Sequence, residues 1–135
     1  MTQAQRSELV RRAGEARRNA YAPYSNYRVG AALLAESGGV YTGVNVENAV
    51  YPTGTCAERT AIFKAVSEGE RSFTAIAVVT ENGGTPCGSC RQMLAEFGLD
   101  TLVIVADASG RVVTETTVRE LLPQAFGAGD LPPRG

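Results

Sequence analysis

The side chains able to do chemistry in this chain are few and grouped. Cysteine occurs three times, as Cys56, Cys87 and Cys90, and histidine does not occur at all. Without histidine there is no Ser-His-Asp or Cys-His catalysis, no HExxH metal site and no imidazole pH switch. Cys87 and Cys90 form a Cys-x-x-Cys pair within Pro86-Cys87-Gly88-Ser89-Cys90, and Cys56 opens Cys56-Ala57-Glu58. A Cys-x-x-Cys alone is open to three readings: a redox pair, a pair of metal ligands, or incidental spacing. A separation of three puts both thiols on one side of a helical first turn. With a third thiolate they make a zinc set of three protein ligands and one open position, the arrangement of a catalytic zinc. A structural zinc takes four protein ligands, and here the fourth would have to be a carboxylate. Glu58 stands two residues after Cys56, on a different side of a helix. A metal lying off that helix N-terminus would put its water within reach of Glu58, the place a proton shuttle needs.

Zinc held by three thiolates carries excess negative charge, which works against ionising a bound water. Helix N-termini favour nearby anions and offset that charge. Arg59, next to Glu58, is a donor able to reach a thiolate, and Arg91, next to Cys90, is a weaker candidate. Either arginine can equally be a solvated helix residue.

The elements that must carry these residues follow from periodicity. Gln3 to Tyr21 reads as a helix with Leu9, Ala13, Ala16 and Ala20 on one stripe, broken by Pro23 and Ser25. Val29 to Ala35 and Val40 to Val46 read as a hairpin around Glu36-Ser37-Gly38-Gly39. Asn48 to Thr55 reads as loop, and Cys56 to Glu68 as a helix stopped by Gly69. The valine-rich run Phe73 to Thr80 and the run Thr101 to Ala106 are buried strands on either side of a helix from Cys87 to Phe97. A last strand is expected over Val112 to Glu115 and a last helical turn over Val118 to Leu122. Strands alternating with helices imply α/β layers with a parallel portion in the sheet. Both cysteine motifs then sit where a loop enters a helix.

Composition limits what else the chain does. It has 135 residues, 44% of them hydrophobic and 20% charged, which suits one globular domain over residues 1–135 with a loosely held tail from about 127. An odd number of cysteines fits a secreted disulfide framework poorly, so a reducing, cytoplasmic setting is expected. The net charge is −1 and the pI about 5.5, without the basic surface that nucleic-acid binding requires. The N-terminal arginines (Arg6, Arg11, Arg12, Arg17, Arg18) exceed Glu8 and Glu15 and read as a solvated helix face. No apolar run is long enough to span a membrane, and the first residues are too polar for a signal peptide.

Cys-Ala-Glu followed by Pro-Cys-x-x-Cys resembles the zinc-dependent nucleoside deaminases, whose signature has a three-cysteine form. The wider set resembles the small homotetrameric cytidine deaminases: Tyr24-Ser25, Val29-Gly30-Ala31-Ala32, Asn45-Val46-Glu47-Asn48-Ala49, Thr55 to Ala61, Pro86 to Gln92, and Leu121-Leu122-Pro123 with Phe126. The resemblance spans about residues 5–126. It implies a three-layer α/β/α fold with a mixed sheet of about five strands. It implies one zinc per chain on Cys56, Cys87 and Cys90, activating a water that attacks C4 of the cytosine ring. Glu58 would carry the proton toward ring N3 and the departing ammonia. Asn45 and Glu47 would bind the ribose 3′-hydroxyl, and the backbone at Ala57 would meet the base. Tyr27 stands where the family usually has phenylalanine, so its hydroxyl requires a partner. Tyr51 and Phe126 would reach the site across a subunit interface, in a homotetramer with shared sites. The implied activity is hydrolytic deamination of free cytidine and 2′-deoxycytidine in pyrimidine salvage. Three other readings share part of the signature: a deaminase of another cytosine nucleoside such as blasticidin S, a polynucleotide deaminase, and a structural zinc module. Low basic charge weakens the polynucleotide reading, and Glu58 has no role in a structural module.

Overall fold

The computed structural model describes residues 1–133. Its elements are α1 (Gln3–Arg17), β1 (Gly30–Ala35), β2 (Val40–Val44), α2 (Ala57–Ser67), β3 (Phe73–Val79), α3 (Gly88–Phe97), β4 (Leu102–Ala106), β5 (Val112–Thr117) and the single turn α4 (Val118–Leu121). The five strands form one mixed sheet in the order β2-β1-β3-β4-β5. Only β3 and β4 pair parallel, with α3 as their crossover; the other neighbours are antiparallel.

Side chains alternate across each strand, so the central strands supply two cores. Ala31, Leu33, Ile76, Val78, Val103 and Val105 point to one face, against Ala57, Ala61, Ile62 and Ala65 of α2, Leu94 of α3 and Val118 of α4. Ala32, Ala75, Ala77, Val79, Ile104 and Ala106 point to the other, against Leu9, Val10 and Ala13 of α1. The expected three-layer α/β/α architecture with a five-stranded mixed sheet is what forms.

Element ends differ from the periodicity reading at two places that matter for the site. The first helix starts on a Thr2–Gln5 capping box but stops at Arg17 instead of running to Tyr21. The Tyr21 N–H donates to the Asn45 carbonyl at 3.0 Å and the Tyr21 carbonyl accepts from Glu47 N–H at 2.9 Å, so a continued helix would forfeit both bonds. The return strand of the hairpin stops at Val44, and Val46 instead makes isolated bridges to Tyr21 and Thr55. The last strand is longer than expected, running to Thr117. The tail from Gly127 forms a short turn at Ala128–Asp130, tied by Gly127 N–H donating to Asp130 Oδ2 at 2.9 Å.

Gly43 sets how closely α2 approaches the sheet. A Cβ at this position would lie 2.5 Å from both the Ala57 carbonyl oxygen and the Ala61 nitrogen, backbone atoms that cannot swing aside. Gly43→Ala therefore pushes away the helix whose N-terminus carries Cys56 and Glu58, and should lower stability by roughly 1–3 kcal/mol. Gly14→Ala in α1, where the new methyl meets nothing nearer than 3.9 Å, should instead raise it by about 0.5–1 kcal/mol. Urea denaturation of the two variants checks both signs.

Candidate active site

Two helices deliver the three cysteines. Cys56 is the N-cap of α2 and Cys87 the N-cap of α3; both are extended in backbone, and neither sulfur caps its helix. Cys90 is on the first turn of α3 and fully buried. Cys87 Sγ lies 3.9 Å from Cys56 Sγ and 3.5 Å from Cys90 Sγ, and all three sulfurs are within 4.8 Å of one another. Tetrahedral zinc–thiolate bonds of about 2.3 Å place sulfurs roughly 3.8 Å apart. The spacing and the soft sulfur donors fit one zinc ion.

Three thiols this close cannot all ionise unaided, and their surroundings rank them. The hydrogen bond with Cys90, and then the neighbouring Arg59, draw the Cys56 pKa down to about 5. Its hydrogen bond with Cys56 and its burial push Cys90 the opposite way. Arg59 Nη2 donates to Cys56 Sγ at 3.4 Å. Arg91 does not turn toward the sulfurs. Its guanidinium donates to the Pro86 carbonyl at 2.8 Å, the Thr85 hydroxyl at 2.9 Å and the Leu121 carbonyl at 2.9 Å. It thus braces the loop that ends in Cys87.

Glu58 is 4% exposed at the start of α2. Burial raises its carboxyl pKa, and the nearby Cys56 adds to the rise. A cleft of about 650 Å³ opens above it, a size suited to a nucleoside. Tyr27, Asn45, Glu47, Tyr51, Cys56, Ala57, Glu58, Arg59 and Cys87 all line this cleft. Asn45 and Glu47 flank the bridging residue Val46. Asn45 Oδ1 accepts from Val29 N–H at 2.9 Å and Nδ2 donates to the Tyr27 carbonyl at 2.8 Å, which leaves the amide one N–H and one lone pair. Glu47 Oε1 accepts from the Tyr24 and Ser25 N–H groups at 2.9 and 3.1 Å, and Oε2 accepts the Ser25 hydroxyl. The Ser25 hydroxyl is foremost among the donors that lower the Glu47 pKa.

The Tyr27 hydroxyl has its partner: it donates to Asn82 Oδ1 at 2.7 Å. Tyr51 is 74% exposed at the mouth, its ring 5.9 Å from that of Tyr24. Phe126 is 57% exposed and stands outside the cleft, its carbonyl accepting from Gln92 Nε2 at 2.8 Å. The strand reading buried Thr80 but gave no role to its hydroxyl, which accepts from the Gly83 and Gly84 N–H groups at 2.8 Å each, and gave no sign of Asn82. The turn-rich run Thr80 to Pro86 was the available signal.

Comparison with known proteins agrees with this geometry. Residues 3–106 match the model of the cytidine and deoxycytidylate deaminase zinc-binding region. A cytidine deaminase of Sporosarcina psychrophila is 50% identical over 126 residues, covering 92% of this chain and 93% of the relative. The crystal structure of a cytidine deaminase from Burkholderia pseudomallei superposes with a TM-score of 0.85 at 46% identity, covering 93% of this chain and all of that one. A blasticidin-S deaminase of Bacillus cereus is more distant, 31% identical over 112 residues, covering 76% of this chain and 79% of that one. This chain belongs to the cytidine and deoxycytidylate deaminase family of zinc-dependent enzymes.

Proposed function

We propose that the cleft hydrolytically deaminates free cytidine and 2′-deoxycytidine. Water replaces the C4 amino group, giving uridine or 2′-deoxyuridine and ammonia. The observation that carries this is Glu58, a buried carboxyl at the three-sulfur cluster and on the wall of a nucleoside-sized cleft. Cys56, Cys87 and Cys90 would hold the zinc, and the chemistry it would supply there is the Lewis acidity that makes a water nucleophilic near neutral pH.

The chain's own groups do the rest. Glu58 takes one proton of the attacking water and passes it to ring N3, then takes the second from the new C4 hydroxyl and passes it to the departing amine, so that N3–H and ammonia account for both. Its raised proton affinity suits a group that must both accept and donate. The Arg59 guanidinium beside Cys56 offsets the charge of the sulfur cluster. Asn45, with its remaining N–H, and the ionised Glu47 bind the ribose 3′-hydroxyl, while the Ala57 backbone meets the base and the Tyr27 ring flanks it.

Arg59 is the one cation among the residues lining the cleft, and it is engaged with Cys56. A 5′-phosphate would therefore find no free cationic partner there. Ultraviolet loss of the cytosine band should show turnover of cytidine and deoxycytidine, with deoxycytidine monophosphate, blasticidin S and single-stranded DNA turned over far more slowly. Preferential turnover of any of the last three would reassign the substrate.

Glu58→Gln should keep one zinc per chain by metal analysis and lose about 10²–10⁴-fold in rate. A variant that keeps both zinc and rate removes Glu58 from the mechanism.

The reading extends to a homotetramer with shared sites. Tyr24, Val50, Tyr51, Phe63 and Phe126 are large side chains left exposed on one chain, surface that a subunit interface would cover. Tyr51 and Phe126 are the two assigned to a neighbouring subunit's cleft. Light scattering should give about four times the 14.2 kDa chain mass; a fully active monomer would overturn the shared site. No helix among the described residues is long and apolar enough to cross a membrane. The three free cysteines support a cytoplasmic enzyme.

A further inference from the structure

We propose that the Tyr27 hydroxyl is a positioning group for the zinc site, tying the substrate-facing segment 23–29 through Asn82 to the loop that presents Cys87. The proposal rests on the reading that Cys56, Cys87 and Cys90 hold zinc.

The tyrosine is fixed at its backbone. Its N–H donates to Ser25 Oγ at 3.0 Å and its carbonyl accepts from Asn45 Nδ2 at 2.8 Å. Its ring reaches across the cleft wall, and its hydroxyl donates to Asn82 Oδ1 at 2.7 Å. Asn82 lies in the connection between β3 and α3, which needs such restraint. Gly83 adopts a left-handed backbone at φ +78°, and Cys87 at the end of the connection is exposed.

The restraints come from three sides. Thr80, 2% exposed, accepts the Gly83 and Gly84 N–H groups from below. Arg91 grips Thr85 and Pro86 from α3. Tyr27 closes the substrate side. The fit there is tight, because a Cβ on Gly84 would stand 2.6 Å from the Tyr27 hydroxyl oxygen. Small displacements of this loop move Cys87 Sγ relative to Cys56 and Cys90, and a ligand set tolerates little of that. The hydroxyl is thus built into the metal site without touching the metal.

The test times zinc transfer from loaded protein to a chromophoric chelator. Tyr27→Phe and Asn82→Ala should each release zinc about three- to tenfold faster than wild type, the effect of one lost hydrogen bond. The double variant should be no faster than either alone, since both remove the same bond. Tyr41→Phe is the control. Its hydroxyl donates to Glu70 at 2.8 Å, on a different part of the fold, and its loss should leave zinc release at the wild-type rate. Additive single effects, an equal acceleration in Tyr41→Phe, or a wild-type rate in Tyr27→Phe each overturn the tether. A raised KM for cytidine in Tyr27→Phe with unchanged zinc release would move the hydroxyl to the substrate and also overturn it. A wild-type chain that takes up no zinc overturns the metal assignment itself, a failure separable from the others.

Discussion

Three sulfurs within 4.8 Å of one another repel once ionised, and the rest of the structure is arranged around making that cluster tolerable. The cluster forms because two helices begin at the same place. Each helix start offers unpaired N–H groups and the positive end of its dipole, both favourable to thiolates. The arrangement has a local cost. The N-cap position favours Ser, Thr, Asp or Asn, whose oxygen bonds the first N–H groups, and here it holds Cys56 and Cys87, whose sulfurs make no such bond. The helices α2 and α3 are therefore held less by their caps than by the apolar faces they lay on the sheet.

Those faces explain why the two starts converge. Both helices pack on the same side of the sheet, through Ala57, Ala61, Ile62, Ala65 and Leu94. The parallel pair β3 and β4 makes α3 a crossover, so the connection after Val79 leaves from the carboxyl end of β3. That end is where open α/β sheets bind ligands. Gly43 then lets the α2 backbone close on β2, which brings Cys56 to the mouth of the same connection. Neither helix alone forms the site; the sheet register and one missing side chain place them together.

This division also marks what was legible in the sequence. The cysteines and Glu58 could be read because their types are scarce and their spacing means something only at a helix start. The direction of Arg59 followed from charge, and Arg59 does reach Cys56. Arg91 did not follow, because the same charge argument aims it at sulfur while the folded chain offers it two carbonyls and a hydroxyl with no rival partner. The end of α1 and the end of β2 were missed for a related reason. Tyr21 and Val46 satisfy each other's backbone neighbourhoods across the fold, and periodicity along the chain carries no record of bonds between segments. Thr80 was read only as the end of a buried strand and Asn82 sits in the turn-rich stretch after it; their importance lies in hydroxyl and amide contacts that exist only once β3 and α3 have been placed.

The same contrast of environments separates the two carboxyl groups of the cleft. Glu47 is surrounded by donors, with two backbone N–H groups and the Ser25 hydroxyl directed at its oxygens. A carboxylate so provided stays ionised and serves as a fixed acceptor. Glu58 lies beneath the surface beside sulfur, where burial favours its protonated form. Two acidic residues lining one cleft are thus driven in opposite directions by what surrounds them, a separation that suits the roles proposed for them, one holding a substrate and the other moving a proton. Their surroundings come from separate parts of the fold: the left-handed turn at Asn26 and its Ser25 hydroxyl for Glu47, the sheet-packed first turn of α2 for Glu58. On those proposed roles binding and proton transfer can be altered independently, since the groups that bond Glu47 lie at Tyr24 and Ser25 and not on α2.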